Sequence, residues 1–339
     1  MPIELASHAG FTAVAVGTAR LRLTVVPDCG GKIVSLRSAV SGREWLWRDP
    51  ARPLRQPAPG GEFARHDISG WDECFPTIGP CPYPAAPGAA FAGVTLGDHG
   101  ELWSRPWRWQ IAGAELRMSR AGDALPYVFE RSIGPTADGG IRLNYRVENR
   151  SASPMRYLWS AHPLLNAEAG MRIRLPPSAV MTKEFGHGGR IGADSEDGSL
   201  GRFDEYRWPD AQGADGVIRD LSLVAFEDPP VTDKVVVRGL ADGWAEVAGP
   251  SGGERLRFQF PLPSVPYLGV CMNYAAWPFG DHPGRWLAVE PASGGTDRLD
   301  DAVARSEAAL LAAGGSARWH LELSVHDEAG HDQADQGDQ

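Results

Sequence analysis

The sequence predicts an all-β protein, a large β-sandwich whose sheets pack face to face, with one or few short helices. Two observations carry this expectation. The clear hydrophobic signals repeat every two residues, the period at which strand side chains alternate between faces. In addition, 41 Gly and 28 Pro are spread along the chain rather than bunched, as turn residues between many strands should be.

The elements follow in chain order. Leu21, Leu23 and Val25 alternate with Arg22 and Thr24, and Ile141, Leu143, Tyr145 and Val147 alternate with Arg142, Asn144 and Arg146. Leu256, Phe258 and Phe260 alternate with Arg257 and Gln259, and Trp319, Leu321, Leu323 and Val325 with His320, Glu322 and Ser324. Each segment reads as a strand with one face in a core and one in a polar setting. One stretch breaks the rule. Asp297 to Ala313 is rich in Ala and Leu, opens on an Asp suited to an N-cap and stops at Gly314-Gly315, which predicts a short amphipathic helix. No linker or shift in composition interrupts the pattern, so a single domain over residues 1–326 is expected, with long inserted loops. Residues 327–339 are acidic and lack apolar periodicity, which predicts a disordered tail.

Composition narrows the function. The chain has 339 residues with a net charge of -10 and no clustered Lys and Arg, so nucleic acid is not an expected partner. No apolar run approaches the roughly 20 residues that a bilayer needs, so no membrane span is expected either. Cys29, Cys74, Cys81 and Cys271 show no C-x-x-C spacing and read as reduced thiols. The first residues show no export signal, which makes the cytoplasm the default location.

Four polar-aromatic islands stand out: Ser69–Thr77, Gly97–Trp103, Trp159–Leu165 and Trp286–Pro291. Each sets an acid or a histidine within a few residues of a Trp. On a β scaffold that combination suits a sugar, since an aromatic face meets the apolar side of a pyranose while carboxylates and imidazoles meet its hydroxyls. Other chemistries find less support. His99 and Glu101 could form half of a metal site, but there is no His-x-His, Cys cluster or His-Glu-x-x-His, so no metal is expected. There is also no Gly-x-Ser-x-Gly elbow and no phosphate-cradling glycine loop. His162 follows Tyr157-Leu-Trp159 and precedes Pro163, at the expected end of a strand. Glu290 follows Leu287-Ala-Val289, so a carboxylate lies at the end of an apolar strand, where burial is costly without a purpose.

Taken together, the islands resemble the aldose 1-epimerase (galactose mutarotase) family. Gly30-Gly-Lys-Ile-Val-Ser-Leu36 with Gly42-Arg-Glu-Trp-Leu-Trp47 is similar to its N-terminal strand and hairpin. Asp98-His-Gly-Glu-Leu-Trp103 is similar to its first histidine motif, Trp159-Ser-Ala-His-Pro163 to its second, and Leu287-Ala-Val-Glu-Pro291 to its late glutamate motif. The likeness runs to about Val325. It implies a supersandwich with an open cleft on one sheet, a monosaccharide substrate and no cofactor. It further implies Glu290 as general base, His162 as general acid and His99 as a second, sugar-holding histidine. Clear counterparts of the family's hydroxyl-gripping Asn-Arg pair and of its substrate-binding Asp are missing.

In this reading Asp72 and Glu73 are the expected hydroxyl ligands, and Trp71, Trp103 and Trp277 the candidates for the stacking face. Glu290 is expected ionised and His162 protonated, each favouring the charge of the other. Three alternatives stand beside a mutarotase for free aldoses. One is an epimerase of sugar phosphates using Arg65, Arg105 or Arg285. The others are a non-catalytic carbohydrate-binding protein and a polysaccharide lyase or hydrolase on a similar sandwich.

Overall fold

All four alternating segments are strands: Leu21–Val26, Ile141–Asn149, Arg255–Gln259 and Ser316–His326. The computed structural model describes residues 3–327 except 59, 178, 193–203 and 279–282, so the expected tail beyond Asp327 lies outside the described residues. Among them, an eight-stranded and a thirteen-stranded sheet dominate. Ile141–Asn149 pairs with Tyr127–Pro135 and with Ser316–His326, both antiparallel, at the heart of the smaller sheet. In the larger sheet the strands Lys32–Ser38, Trp71–Cys74, Ser160–Asn166, Arg285–Ala292, Tyr267–Tyr274, Val231–Arg238 and Val180–His187 lie side by side. The protein is a β-sandwich.

The core between the sheets collects one face of each. Trp71 of the larger sheet meets Phe258 of the smaller at 6.0 Å between ring centroids, and Tyr145, Trp159 and Trp319 pack together nearby. Burying so many aromatic and aliphatic side chains is the main stabilising term, at roughly 25 cal/mol per Å² of apolar surface removed from water. The larger sheet also carries a second apolar cluster on its outer face: Phe63, Ile68, Trp103, Leu164, Cys271, Trp286 and Ala288, edged by Trp47, Phe185 and Trp277. Loops cover that face, and the candidate site lies among them.

The expected helix over Asp297–Ala313 is a correction. Only Leu299–Ala304 is helical, with Arg298 rather than Asp297 at the N-cap. The carbonyl of Asp297 accepts from the amides of Ile78 and Gly79, and its carboxylate is drawn to Lys234, so the residue belongs to the sheet's rim. Ser306 adopts φ +61, ending the helix, and Ala309–Leu311 then pairs with Met155–Tyr157 as a strand. Tertiary partners outbid helix propensity here, as a weak local preference allows.

The four cysteines are free and buried, and among the described residues no helix is long and apolar enough to cross a membrane. Of the 33 basic residues only Lys32, Lys183 and Lys234 are lysines, and all three are buried. An amine-reactive reagent should therefore leave every lysine unmodified in the folded chain and label all three after denaturation, read by peptide mass spectrometry. Fast labelling of any one under native conditions would contradict the packing.

Candidate active site

Register builds the site. Along Arg285–Ala292, Leu287 and Val289 point into the main core, whereas Trp286 and Ala288 join the outer cluster, so Glu290 shares their outer face. Along Ser160–Asn166, Ala161 and Leu165 point inward and Leu164 outward, which puts His162 outward as well. The flanking pairs Ser160↔Ala292 and Leu164↔Ala288 set His162 level with Glu290. On its other side His162 pairs with Asp72, and Glu290 pairs with Gly269. One row across the sheet therefore reads Asp72, His162, Glu290, Gly269, although these residues are scattered through the chain.

His162 Nε2 lies 3.8 Å from Glu290 Oε1. The other carboxylate oxygen, Oε2, is 2.6 Å from Lys234 Nζ, which also lies 2.8 Å from Asp297 Oδ1. Glu290 is 1% exposed. Beside this group Lys32 donates to Asp72 Oδ2 at 2.7 Å and to the carbonyls of Asp67 and Ser69, both at 2.8 Å. Asp72 Oδ1 and both Glu290 carboxylate oxygens are buried without a geometrically good hydrogen bond among the described residues, Oε2 being held by the Lys234 ion pair alone.

Loops complete the wall. His99 takes φ +56 in a turn, and its Nδ1 is 2.7 Å from Asp98 Oδ1. Its ring stacks on Phe63 with centroids 3.8 Å apart and stands edge-on to His162 at 4.9 Å. The Phe63 amide donates to Asp98 Oδ2, and Trp103 Nε1 donates to the Asp98 carbonyl. Burial works against the Asp98 charge, but the His99 and Phe63 hydrogen bonds outweigh it and hold the carboxyl below its usual range. Glu101 turns elsewhere, accepting from the amides of Asp123 and Ala124 rather than facing His99.

Electrostatics corrects the expected protonation state. Burial, followed by the neighbouring His99, Lys234 and Lys32, holds the His162 imidazole well below its ordinary range. Burial also raises the Glu290 carboxyl, with Lys234 opposing. The sequence suggested an imidazolium beside a carboxylate, but desolvation penalises both charges and the nearby cations add to the cost on the histidine. Burial thus makes the imidazolium that the sequence suggested harder to form.

Two of the expected ligands are also corrected. Trp71 and Glu73 flank Asp72 on a strand, so alternation sends both into the core while Asp72 faces out. Glu73 is fully buried, paired with Arg131 at 2.8 Å, and accepts from Tyr145 Oη at 3.0 Å and Trp159 Nε1 at 2.9 Å. Neither can reach a molecule beside His162. Trp103 does lie at the site, but at 2% exposure it braces Phe63 and Asp98 instead of offering a face. Trp277 is partly exposed and stands edge-on to Trp286 at 5.9 Å. The structure thus brings Glu290, His162, His99 and Asp72 together, with Trp103 and Trp277 in the wall. Sequence reasoning missed Lys32, Lys234, Asp297 and Phe63. The signal for Lys234 was present, since a lysine inside Val231-Thr-Asp-Lys-Val-Val-Val237 carries the same burial penalty that singled out Glu290.

No protein-family model matches the chain, and no curated protein matches it by sequence. Solved structures do. A galactose mutarotase-like protein from Clostridium acetobutylicum superposes with a TM-score of 0.65 at 13% identity, covering 96% of this chain and 98% of that one. A galactose mutarotase related enzyme from Lactobacillus acidophilus gives 0.64 at 16% identity over 93% and 97%. The chain has the galactose mutarotase-like fold. The same fold also occurs within larger proteins: a TPR-domain containing protein from Parabacteroides distasonis matches 94% of this chain with 47% of its own, at a TM-score of 0.61 and 13% identity. At such identities the galactose mutarotase-like fold is what is shared, and activity has to be argued from the site.

Proposed function

We propose that the protein is an aldose 1-epimerase, interconverting the α and β anomers of a free monosaccharide with Glu290 and His162 as its proton-transfer pair. The observation that supports this most is the 3.8 Å approach of His162 Nε2 to Glu290 Oε1 on the outer face of a galactose mutarotase-like sheet.

The reaction needs little else. Opening the ring takes a proton from the C1 hydroxyl and gives one to the ring oxygen. The aldehyde turns, and the ring closes on its other face with the transfers reversed. Opening converts a carboxylate–imidazolium pair into a carboxyl–imidazole pair. In water these arrangements are unequal, because the ordinary pKa values of about 4.3 and 6.5 keep the proton on the imidazole. Burial raises the carboxyl and lowers the imidazole, which draws the two arrangements together in energy. A proton that must travel both ways in each cycle is best served by such a match. His99 and Asp72 are the hydroxyl ligands in this reading, and Trp277 the partly exposed aromatic wall.

A free aldose is the substrate class put first, and each of the three candidate arginines already has a partner. Arg65 pairs with Glu62, Arg105 with Asp123, and Arg285 lies over the Phe226 ring. The test is polarimetry on freshly dissolved α-glucose and α-galactose, repeated on hexose 6-phosphates. Acceleration of the free sugars is expected, with a bell-shaped pH dependence whose two limbs belong to the coupled pair. A rate flat from about pH 4 to 9, or no acceleration on any aldose, would overturn the assignment.

A further inference from the structure

The buried cation beside the candidate base calls for its own account. Lys234 is 3% exposed and sits between two carboxylates, Glu290 and Asp297. Its strand lies two positions from the Glu290 strand, with Tyr267–Tyr274 between them, so the side chains must reach across that strand to meet. On that intervening strand Lys234 is level with Cys271, and Gly269, two residues away, is level with Glu290, so the two side chains meet on a diagonal past Gly269. A Cβ on Gly269 would stand 2.8 Å from Glu290 Oε2 and 3.1 Å from Glu290 Cβ. The missing side chain gives the carboxylate room to lie over the intervening strand and meet the ammonium.

We infer that Asp297, Lys234 and Gly269 form a positioning device for Glu290: Asp297 anchors Lys234, Lys234 holds Oε2, and Oε1 is thereby left facing His162. A freely rotating carboxylate would lose the orientation that proton transfer at a fixed sugar atom demands. Lysine suits the role, as its compact ammonium can approach both carboxylates in a space that a planar guanidinium would need to fork across. The charge matters too. Burial works against the Lys234 ammonium, but Asp297 and Glu290 outweigh it and hold the group well above its usual range, so it is a permanent cation. It then opposes protonation of both Glu290 and His162.

The groups facing Glu290 are His162 and Cys74 from the strands on one side, with Asp72 beyond His162, and Cys271 and Lys234 from those on the other, with Glu184 accepting from the Asp297 amide beyond them. Asp297 and His99 face it from the loops. The two thiols are pushed well up by burial and stay neutral, so Lys234 is the fixed positive charge nearest the carboxylate.

Lys234→Met tests this, and its rate measurements rest on the epimerase reading. Without the cation both carboxyl and imidazole take up protons more readily, so the whole bell should move to higher pH. The variant should be at least about 10-fold slower than wild type near pH 5 and recover part of that loss near pH 8. A uniform loss at every pH with a lower melting temperature would mean a merely structural role and would overturn the inference, as would an unchanged profile. Gly269→Ala keeps every charge and should move the acid limb the same way by a smaller step. It serves if Lys234→Met does not fold, and an unshifted limb there overturns the inference. Should the wild type accelerate no aldose, the functional reading fails by itself. The Glu290 carboxyl can still be titrated by carbon-13 NMR, assigned by its loss in Glu290→Gln. A higher pKa in Lys234→Met, or in Gly269→Ala, than in wild type supports the device, and an equal one overturns it.

Discussion

On the epimerase proposal, replacing Glu290 by Gln should lower the rate of α-to-β conversion by about 10²- to 10⁴-fold, the usual worth of a positioned general base. The amide has nearly the shape of the carboxylate and cannot accept the C1 proton. Lys234 keeps its second partner, Asp297, so the substitution does not strand a buried cation. Binding of the sugar, followed by tryptophan fluorescence or calorimetry, should change much less than the rate. The measurement is the initial slope of optical rotation for fresh α-galactose with equal amounts of the two proteins. A variant that keeps the wild-type slope would remove Glu290 from the chemistry.

Glu73→Ala should be among the most destabilising single changes in the chain, by about 3–5 kcal/mol, because it leaves the buried Arg131 guanidinium without its carboxylate. Both side chains of that pair are 0% exposed, and Tyr145 and Trp159 lose their acceptor at the same stroke. Arg131 also donates to the carbonyl of Gly31, so its single guanidinium ties the smaller sheet to one strand of the larger and to the turn that leads into another. Their next residues outward, Lys32 and Asp72, pair at the candidate site. Urea unfolding of the purified variant measures the loss. A variant of unchanged stability but weakened sugar binding would return Glu73 to the role of direct ligand that its sequence neighbourhood suggested.

The contrast between Asp72 and Glu73 explains how far the sequence could be read. Both stand in the same polar-aromatic island, and nothing in their spacing from Trp71 says which of two adjacent acids faces a ligand. A strand turns every side chain over when its register slips by one residue, so the answer depends on which strands it pairs with. Glu290 drew attention by its setting, a carboxylate at the end of an apolar strand, whereas His162 entered through the family resemblance. Lys234 carried the same signal in the midst of valines, without a motif to draw attention to it. The ease of protonating His162 was misjudged for a different reason. A charge balance written along a sequence counts neighbours but not solvent, and at this site the loss of water outweighs the carboxylate 3.8 Å away.

Alternation with a period of two, and turn residues spread along the chain, were enough to determine strands and a sandwich, since both follow from backbone geometry that any tertiary arrangement must respect. The order of the polar-aromatic islands was enough to point toward sugar chemistry. Tertiary structure alone decided which of those residues meet. The row of Asp72, His162, Glu290 and Gly269 joins four strands far apart in the chain, and its register is set by hydrogen bonds between strands and by burial of opposite faces. It likewise decided the fate of Asp297–Ala313, where a locally sound helix gave way to a sheet contact and an ion pair that no local preference encodes.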